Sequence, residues 1–407
     1  MMDLLAEPKL KRPFRRRVFY VPGYDPFHPR RYRELYRRHG AAQAEISGYA
    51  LTLKPRTTPG HFGWHVSAGM EGGFADTDIA VLAWSDIVRD PTGRGIFSTY
   101  LHLLRTVWIY VATGAAFRLV RLRTGPVLVA LYPVLVLLVQ FGLAVALGLH
   151  LSGIVGGLVW PPLGWLAGGA LAVALLRWFR RRDAVFLAHD LMHDFGHSAQ
   201  SWGATPPRLQ ERMARFRAAI SEAMRDEADE ILVIGHSTGA RLAVSIMADV
   251  IRGGLPAKRP ALALLTLGQV VPMVSFLPRA ERLRADLNYL AARDELTWVD
   301  VTAPGDACCF ALCDPVSVSG VAPEGKRWPL VISAAFSRTL SPERWRALRW
   351  RFFRLHFQYL CAFDRPEVYD YFRITAGPLT LADRFRGRAP SRSRIDRAAS
   401  GYVSMSA

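Results

Sequence analysis

The sequence predicts an α/β protein: a mostly parallel sheet with helices on both faces, plus an inserted transmembrane helical hairpin. Three observations predict it. Short aliphatic runs alternate with amphipathic helical stretches, the pattern of a parallel sheet covered on both sides. One run, Ile231 to Ile234, enters the glycine-bracketed turn Gly235-His236-Ser237-Thr238-Gly239. It leaves as a helical segment with Leu242, Ala243, Ile246, Met247 and Val250 at helical spacing. The stretch from 126 to 178 is almost wholly apolar in a chain otherwise rich in charge.

The chain has 407 residues, room for two or three average domains or one large domain with an insertion. Its net charge is +18, carried almost entirely by arginine. Such a balance suits nucleic acid or an anionic membrane surface. No zinc-finger spacing or RNA-binding aromatic motif supports the first, so nucleic acid is not an expected partner and a lipid bilayer is. Three of the four cysteines, Cys308, Cys309 and Cys313, crowd into one segment, and Cys361 stands apart. That spacing fits reduced, buried thiols better than a disulfide framework or a zinc site. The charged start lacks the apolar core of a cleavable signal peptide.

In chain order, residues 1–13 read as a basic tail. Arg17 to Val21 is a strand that runs into Pro22-Gly23-Tyr24-Asp25-Pro26. Tyr32 to Arg38 reads as helix. Ala50 to Leu53 and Gly63 to Val66 read as short strands, and Thr77 to Trp84 as a stronger buried one. Asp86, Arg89 and Asp90 mark the exit from the sheet into the insert. Leu101 to Val120, apolar but broken by Arg105 and Arg118, fits an interfacial amphipathic helix better than a span.

Two spans are expected, at about 126–149 and 152–178, with a loop around His150. Each run is long enough to cross about 30 Å of hydrocarbon at 1.5 Å per residue. Gly156, Gly157, Gly164, Gly168 and Gly169 suit close helix contact in lipid, and Trp160, Trp165 and Trp178 suit interfacial depths. Arg118, Arg121 and Arg123 precede the pair, while Arg177, Arg180, Arg181 and Arg182 follow it. The positive-inside rule then puts both ends in the cytoplasm of a bacterial-type inner or plasma membrane.

His189, His193 and His197 follow at spacing four, beside Asp190 and Asp194. They read as a polar helix near a site mouth rather than a metal centre, and Gly196 with Pro206-Pro207 argues against a long regular helix. Arg208 to Arg225 is amphipathic helix. Leu262 to Gly268, Thr297 to Val301 and Pro329 to Ser333 read as strands, Leu283 to Arg293 and Pro342 to Ala362 as helices. From Gly387 the polar, basic end reads as disordered.

The serine turn and Val21-Pro22-Gly23-Tyr24 resemble the α/β-hydrolase superfamily, and within it the serine lipases and esterases. The resemblance covers roughly residues 14–100 and 183–385, with 101–182 as a membrane insert and 386–407 as a tail. It implies a strained turn that exposes Ser237 as nucleophile, and a triad in the chain order serine, acid, histidine. His356 is the one histidine after Ser237, so that order makes it the general base. It lies in a helix-like run, however, where the family places a loop. The acid should follow the next-to-last strand, where Asp306 ranks before Asp314 and Asp300. The oxyanion donors implied are the backbone N–H groups of Tyr24 and Thr238. No metal or organic cofactor is expected. The function implied is membrane-anchored cleavage of a lipid or other acyl ester through an acyl-enzyme. Thioester hydrolysis, acyl transfer and an inactive membrane-tethered scaffold of the same fold remain alternatives.

Overall fold

The computed structural model describes residues 12–24, 28–56, 60–88, 95–199 and 201–406. Most of the expected basic tail, together with Asp25, Pro26, Arg89 and Asp90, lies outside the described residues.

Eight strands form one sheet. They are β1 (Phe14–Val21), β2 (Ala50–Pro55), β3 (Gly63–Met70), β4 (Gly73–Val81), β5 (Glu230–His236), β6 (Ala261–Leu267), β7 (Leu296–Thr302) and β8 (Leu330–Ser333). Their order is β2-β3-β4-β1-β5-β6-β7-β8. From β4 to β8 every neighbour pair is parallel. The other edge differs from the expected repeat of strand and helix. β2, β3 and β4 follow one another as antiparallel hairpins. Between β3 and β4, Glu71 and Gly72 take left-handed backbone at φ 52° and 71°, the two-residue turn that matches the twist of its strands.

One face of the sheet is covered by Pro207–Ala223, Gly239–Arg252 and Glu281–Ala291, whose Phe216, Ile246 and Leu287 pack with Val233 and Trp298. The other is covered by Arg30–Ser47 and Tyr371–Ala376, with Tyr36 and Phe372 packed on Val18, Trp64 and Ile234. β5, buried along its whole length, is central to both. Its first residue, Glu230, makes a buried ion pair with Arg16 of β1 at 2.6 Å. Arg16 also donates to the carbonyls of Gly377 and Leu379, and Glu230 accepts from Leu381 N–H. Both charges are thereby satisfied where burial would otherwise be costly.

The insert contains two helices long and apolar enough to cross a membrane, Thr124–Leu158 and Pro161–Arg181. The turn between them is Val159-Trp160, so His150 lies inside the first helix and not in a loop. Large side chains such as Leu128, Leu135, Val139, Trp165 and Leu166 face outward. Glycines allow the close approach inside the hairpin. A Cβ on Gly168 would come within 2.3 Å of the Gly148 carbonyl, and one on Gly164 within 2.4 Å of the Ser152 carbonyl. Gly157 and Gly169 meet nothing within 4 Å. The contact therefore runs through Gly148, Gly156, Gly164 and Gly168, two of which stand in the first helix one heptad plus one apart. The apolar stretch before the hairpin is two helices, Ile96–Ala112 and Ala115–Leu122, bent by 76°.

The C-terminal end is ordered, not disordered. Ser391, Ile395 and Ala399 donate backbone N–H bonds to the carbonyls of Val331, Leu312 and Val318. The buried Arg284 holds the Ser404 carbonyl at 2.7 Å. The segment is polar in sequence, but β8 and the connection between β7 and β8 offer its backbone fixed partners and Ile395 a place in an apolar cluster.

Candidate active site

Parallel strands bring their carboxyl ends to one edge of a sheet, and ligands of open α/β sheets bind outside that edge where the chain switches direction. Here the chain goes from β1 to the far edge at β2 and returns through β3 to β4 beside β1, whereas from β5 it runs outward the other way to β8. The switch point therefore lies between β1 and β5. Tyr24 follows β1, Ser237 follows β5, Gly268 follows β6 and Asp306 follows β7.

Ser237 has φ 57°, a left-handed backbone that a side chain rarely adopts. Neighbours hold it there. Its N–H donates to the Leu267 carbonyl at 2.9 Å and its carbonyl accepts from Ala240 N–H at 3.1 Å. The two bracketing glycines are sterically required. A Cβ on Gly235 would lie 2.6 Å from Ala240 Cα, so strand and helix could not close. A Cβ on Gly239 would lie 2.3 Å from the carbonyls of Val21 and Pro22, so that glycine faces β1 rather than its own strand. Gly23 is also required, since a Cβ there would lie 2.9 Å from Ser237 Cβ. Trp84, fully buried, donates its indole N–H to the Pro22 carbonyl and fixes the end of β1.

The expected helix from Pro342 to Ala362 is three short pieces: Pro342–Leu348, Phe352–His356 and the 3-10 turn Gln358–Leu360. His356 ends the second piece. Its imidazole reaches the loop that follows β7. His356 Nδ1 lies 2.7 Å from Asp306 Oδ2, and both side chains are buried. Asp306 Oδ2 also accepts from Tyr359 Oη–H at 3.0 Å, and Oδ1 from Cys308 N–H at 2.9 Å. Burial pushes the Asp306 carboxyl up, but the His356 imidazole and these donors outweigh it and hold the group below the usual carboxylate value. His356 Nε2 is buried and makes no hydrogen bond among the described residues.

His236 packs its ring, tilted by 31°, against His356 at 4.9 Å and lies 3.0 Å, through Nε2, from the His356 carbonyl. A carbonyl only accepts, so His236 carries its proton on Nε2 and is the donor. Burial, helped by the nearby His356, brings its pKa down to about 3. A neutral imidazole thus braces His356 from below, a role that its place inside the serine turn did not signal.

The rival acids serve the frame. Asp314 caps the helix Pro315–Val318 through the N–H groups of Val316 and Ser317 and pairs with Lys326. Asp300 sits within β7, fully buried, and accepts from Thr266 Oγ1–H at 2.6 Å. Burial lifts its carboxyl to about 8.

Tyr24 N–H donates to Thr238 Oγ1 at 2.8 Å, so the two expected oxyanion donors stand side by side and one is engaged by the other's hydroxyl. Tyr24, Ser237, Thr238 and His356 line one cavity of about 120 Å³. Its roof comes from the insert and the helix after it: Tyr110, Pro126, Val129, Leu191 and Phe195. Tyr110 Oη also donates to the Met273 carbonyl at 2.8 Å, which fastens that roof to the α/β domain.

Asp306, Cys308 and His356 place ligand-type atoms within 4.8 Å of one another. Both Asp306 oxygens are already occupied by donors, and burial pushes the Cys308 thiol well above its usual value. The group is held together as a hydrogen-bonded set. His189, His193 and His197 lie on the regular helix Ala188–Ala199, which Gly196 does not interrupt. His193 Nε2 and His189 Nδ1 both reach Thr99 Oγ1, at 3.2 and 3.4 Å, so they tie that helix to Ile96–Ala112.

No family model, no curated protein and no solved structure matches the chain.

Proposed function

We propose that the chain is a membrane-anchored serine hydrolase of α/β-hydrolase type that cleaves a carboxylic ester through an acyl-enzyme on Ser237. The observation that carries the reading is the Asp306–His356 bond at 2.7 Å beside the cavity that Ser237 also lines. In the proposed reaction His356 Nε2 takes the Ser237 hydroxyl proton as Oγ attacks the ester carbonyl. Asp306 keeps the proton of His356 on Nδ1 and stabilises the imidazolium. The N–H of Thr238 donates to the oxyanion, and that of Tyr24 joins it once Thr238 Oγ1 rotates away. The tetrahedral adduct collapses, and Nε2–H protonates the departing alkoxide. Water, deprotonated by the same nitrogen, then releases the acid and restores Ser237.

The apolar roof from the insert favours a lipid or other acyl ester that reaches the cavity from the bilayer. Two spans with flanking arginines favour a multi-pass protein of the inner or plasma membrane with its catalytic domain in the cytoplasm. A terminal tag reached only from outside the cytoplasm would overturn that orientation. Thioester hydrolysis and acyl transfer would use the same acyl-enzyme. One observation favours an inactive scaffold instead: His356 Nε2 and Ser237 Oγ are not hydrogen-bonded to each other. Catalytic hydrogen bonds often tighten only when substrate is present.

Fluorophosphonate labelling of the purified, detergent-solubilised protein tests the reading. Labelling that needs both Ser237 and His356, judged by Ser237→Ala and His356→Ala, is expected. A folded wild-type protein that does not label overturns it.

A further inference from the structure

Apart from the cavity at Ser237, the C-terminal segment and the helix Ala115–Leu122 enclose a second cleft, of about 470 Å³. Arg118 and Arg121 line it from the helix, Arg394 and Arg397 from the segment, with Asp396 the one acid among the described lining residues. All four arginines are exposed. Arg394 pairs with Asp396 at 3.0 Å. Arg118 lies flat across Gly401, where a Cβ would come within 2.8 Å of its Nε, and donates to the Ala399 carbonyl at 3.3 Å. Arg121 and Arg397 have no ion pair among the described residues, so the cleft keeps an excess of positive charge.

Its position says what kind of anion it would meet. Arg121 stands three residues before Thr124, where the first membrane-length helix begins. On the same short helix Phe117 and Val120 are exposed, as they would be if that helix rested on apolar lipid. Arginines that close on one concavity at the foot of a span sit at headgroup depth, and the planar guanidinium suits phosphate oxygens bidentately. We propose that this cleft binds the phosphate-bearing headgroup of an anionic lipid, with Arg121 and Arg397 as its principal contacts. The C-terminal segment is then half of a lipid site. The proposal rests on the spanning assignment of Thr124–Leu158, but not on any catalytic activity.

The test uses the full chain in neutral detergent with water-soluble dioctanoyl lipids, read by thermal-shift titration. Dioctanoyl phosphatidic acid should stabilise the protein and dioctanoyl phosphatidylcholine should not. Arg121→Gln with Arg397→Gln should weaken the effect roughly thirtyfold, as two lost charges predict. The exposed pair Arg217→Gln with Arg225→Gln, on and just after the helix Pro207–Ala223 and outside the cleft lining, should leave it intact. Inorganic phosphate is the second arm. Stabilisation by phosphate as strong as by the lipid would overturn the lipid as source and leave a site for phosphate in water. No stabilisation by either, or an equal loss in both double variants, overturns the site. Because detergent replaces the bilayer, failure here is distinct from failure of the spanning assignment. Alkaline carbonate extraction of native membranes, which would strip a protein that does not span, reads that separately.

Discussion

Asp306 Oδ2 and His356 Nδ1 lie 2.7 Å apart, buried together although fifty residues separate them in sequence. The bond fixes which imidazole nitrogen carries the proton and leaves Nε2, buried and without a hydrogen bond among the described residues, as the acceptor. Asp306→Asn keeps the volume but presents an amide where an acceptor is needed. Under the proposed function, ester turnover should fall by roughly four orders of magnitude while the fold persists. Steady-state hydrolysis of a chromogenic ester checks this, and a change under tenfold would remove Asp306 from the site.

Gly268 shapes the other side of the histidine. Its φ is 52°, and a Cβ there would lie 2.7 Å from the Tyr359 ring and 3.0 Å from His356 Cε1. Gly268→Ala combines backbone strain of about 1 kcal/mol with a push on the imidazole. Fluorophosphonate labelling should slow much more than thermal stability drops. A labelling rate equal to that of the parent would show that His356 is not held in position from this side.

The hairpin contact predicts an ordered set of effects. Gly168→Val would drive a side chain into the Gly148 carbonyl and Ser152, and Gly164→Val into Ser152 and Gly156. Both should lower the melting temperature in detergent by several degrees. Gly157→Ala, which meets open space, should be neutral or slightly stabilising through helix propensity. Equal losses at all three positions would place the helix contact elsewhere.

Asp300 predicts a pH dependence of stability. Burial raises its carboxyl from 3.8 to about 8, the Thr266 hydrogen bond opposes this, and Asp314 adds to it. Between about pH 4 and pH 8 the folded chain therefore keeps a proton that the unfolded chain has lost, so this group makes stability fall as pH rises through that window. Asp300→Asn stays neutral in both states. It should match the parent near pH 4 and exceed it at pH 8, in thermal melts across that range. A constant difference at every pH would mean that Asp300 ionises in the fold as it does in water.

The strands, the serine turn and the apolar pair were legible because each is written in neighbouring residues. Ile231–Ile234 has the composition of a strand buried on both faces. Gly235 and Gly239 bracket a turn that only small residues permit, and no charge interrupts residues 124–176. Composition and periodicity report such local features directly. His356 was singled out only through the triad order that the family resemblance implies.

Tertiary structure decided the rest, because it depends on residues far apart in sequence. The antiparallel placement of β2 and β3 follows from pairing, which their short alternating runs do not encode. The helix ends at His356, whose imidazole meets Asp306, Gly268 and His236, three residues far from it in sequence. Asp306 differs from Asp314 and Asp300 through its partners rather than its sequence neighbours, since all three follow or lie in β7. The C-terminal segment reads as disordered by composition, yet its backbone is paired by β8 and the segment before it, sixty residues or more upstream. The sequence by itself determined which residues are candidates for the site and which stretch is apolar enough to cross a membrane. The fold decided which of those groups meet, because the free energy of a buried hydrogen bond belongs to two residues at once.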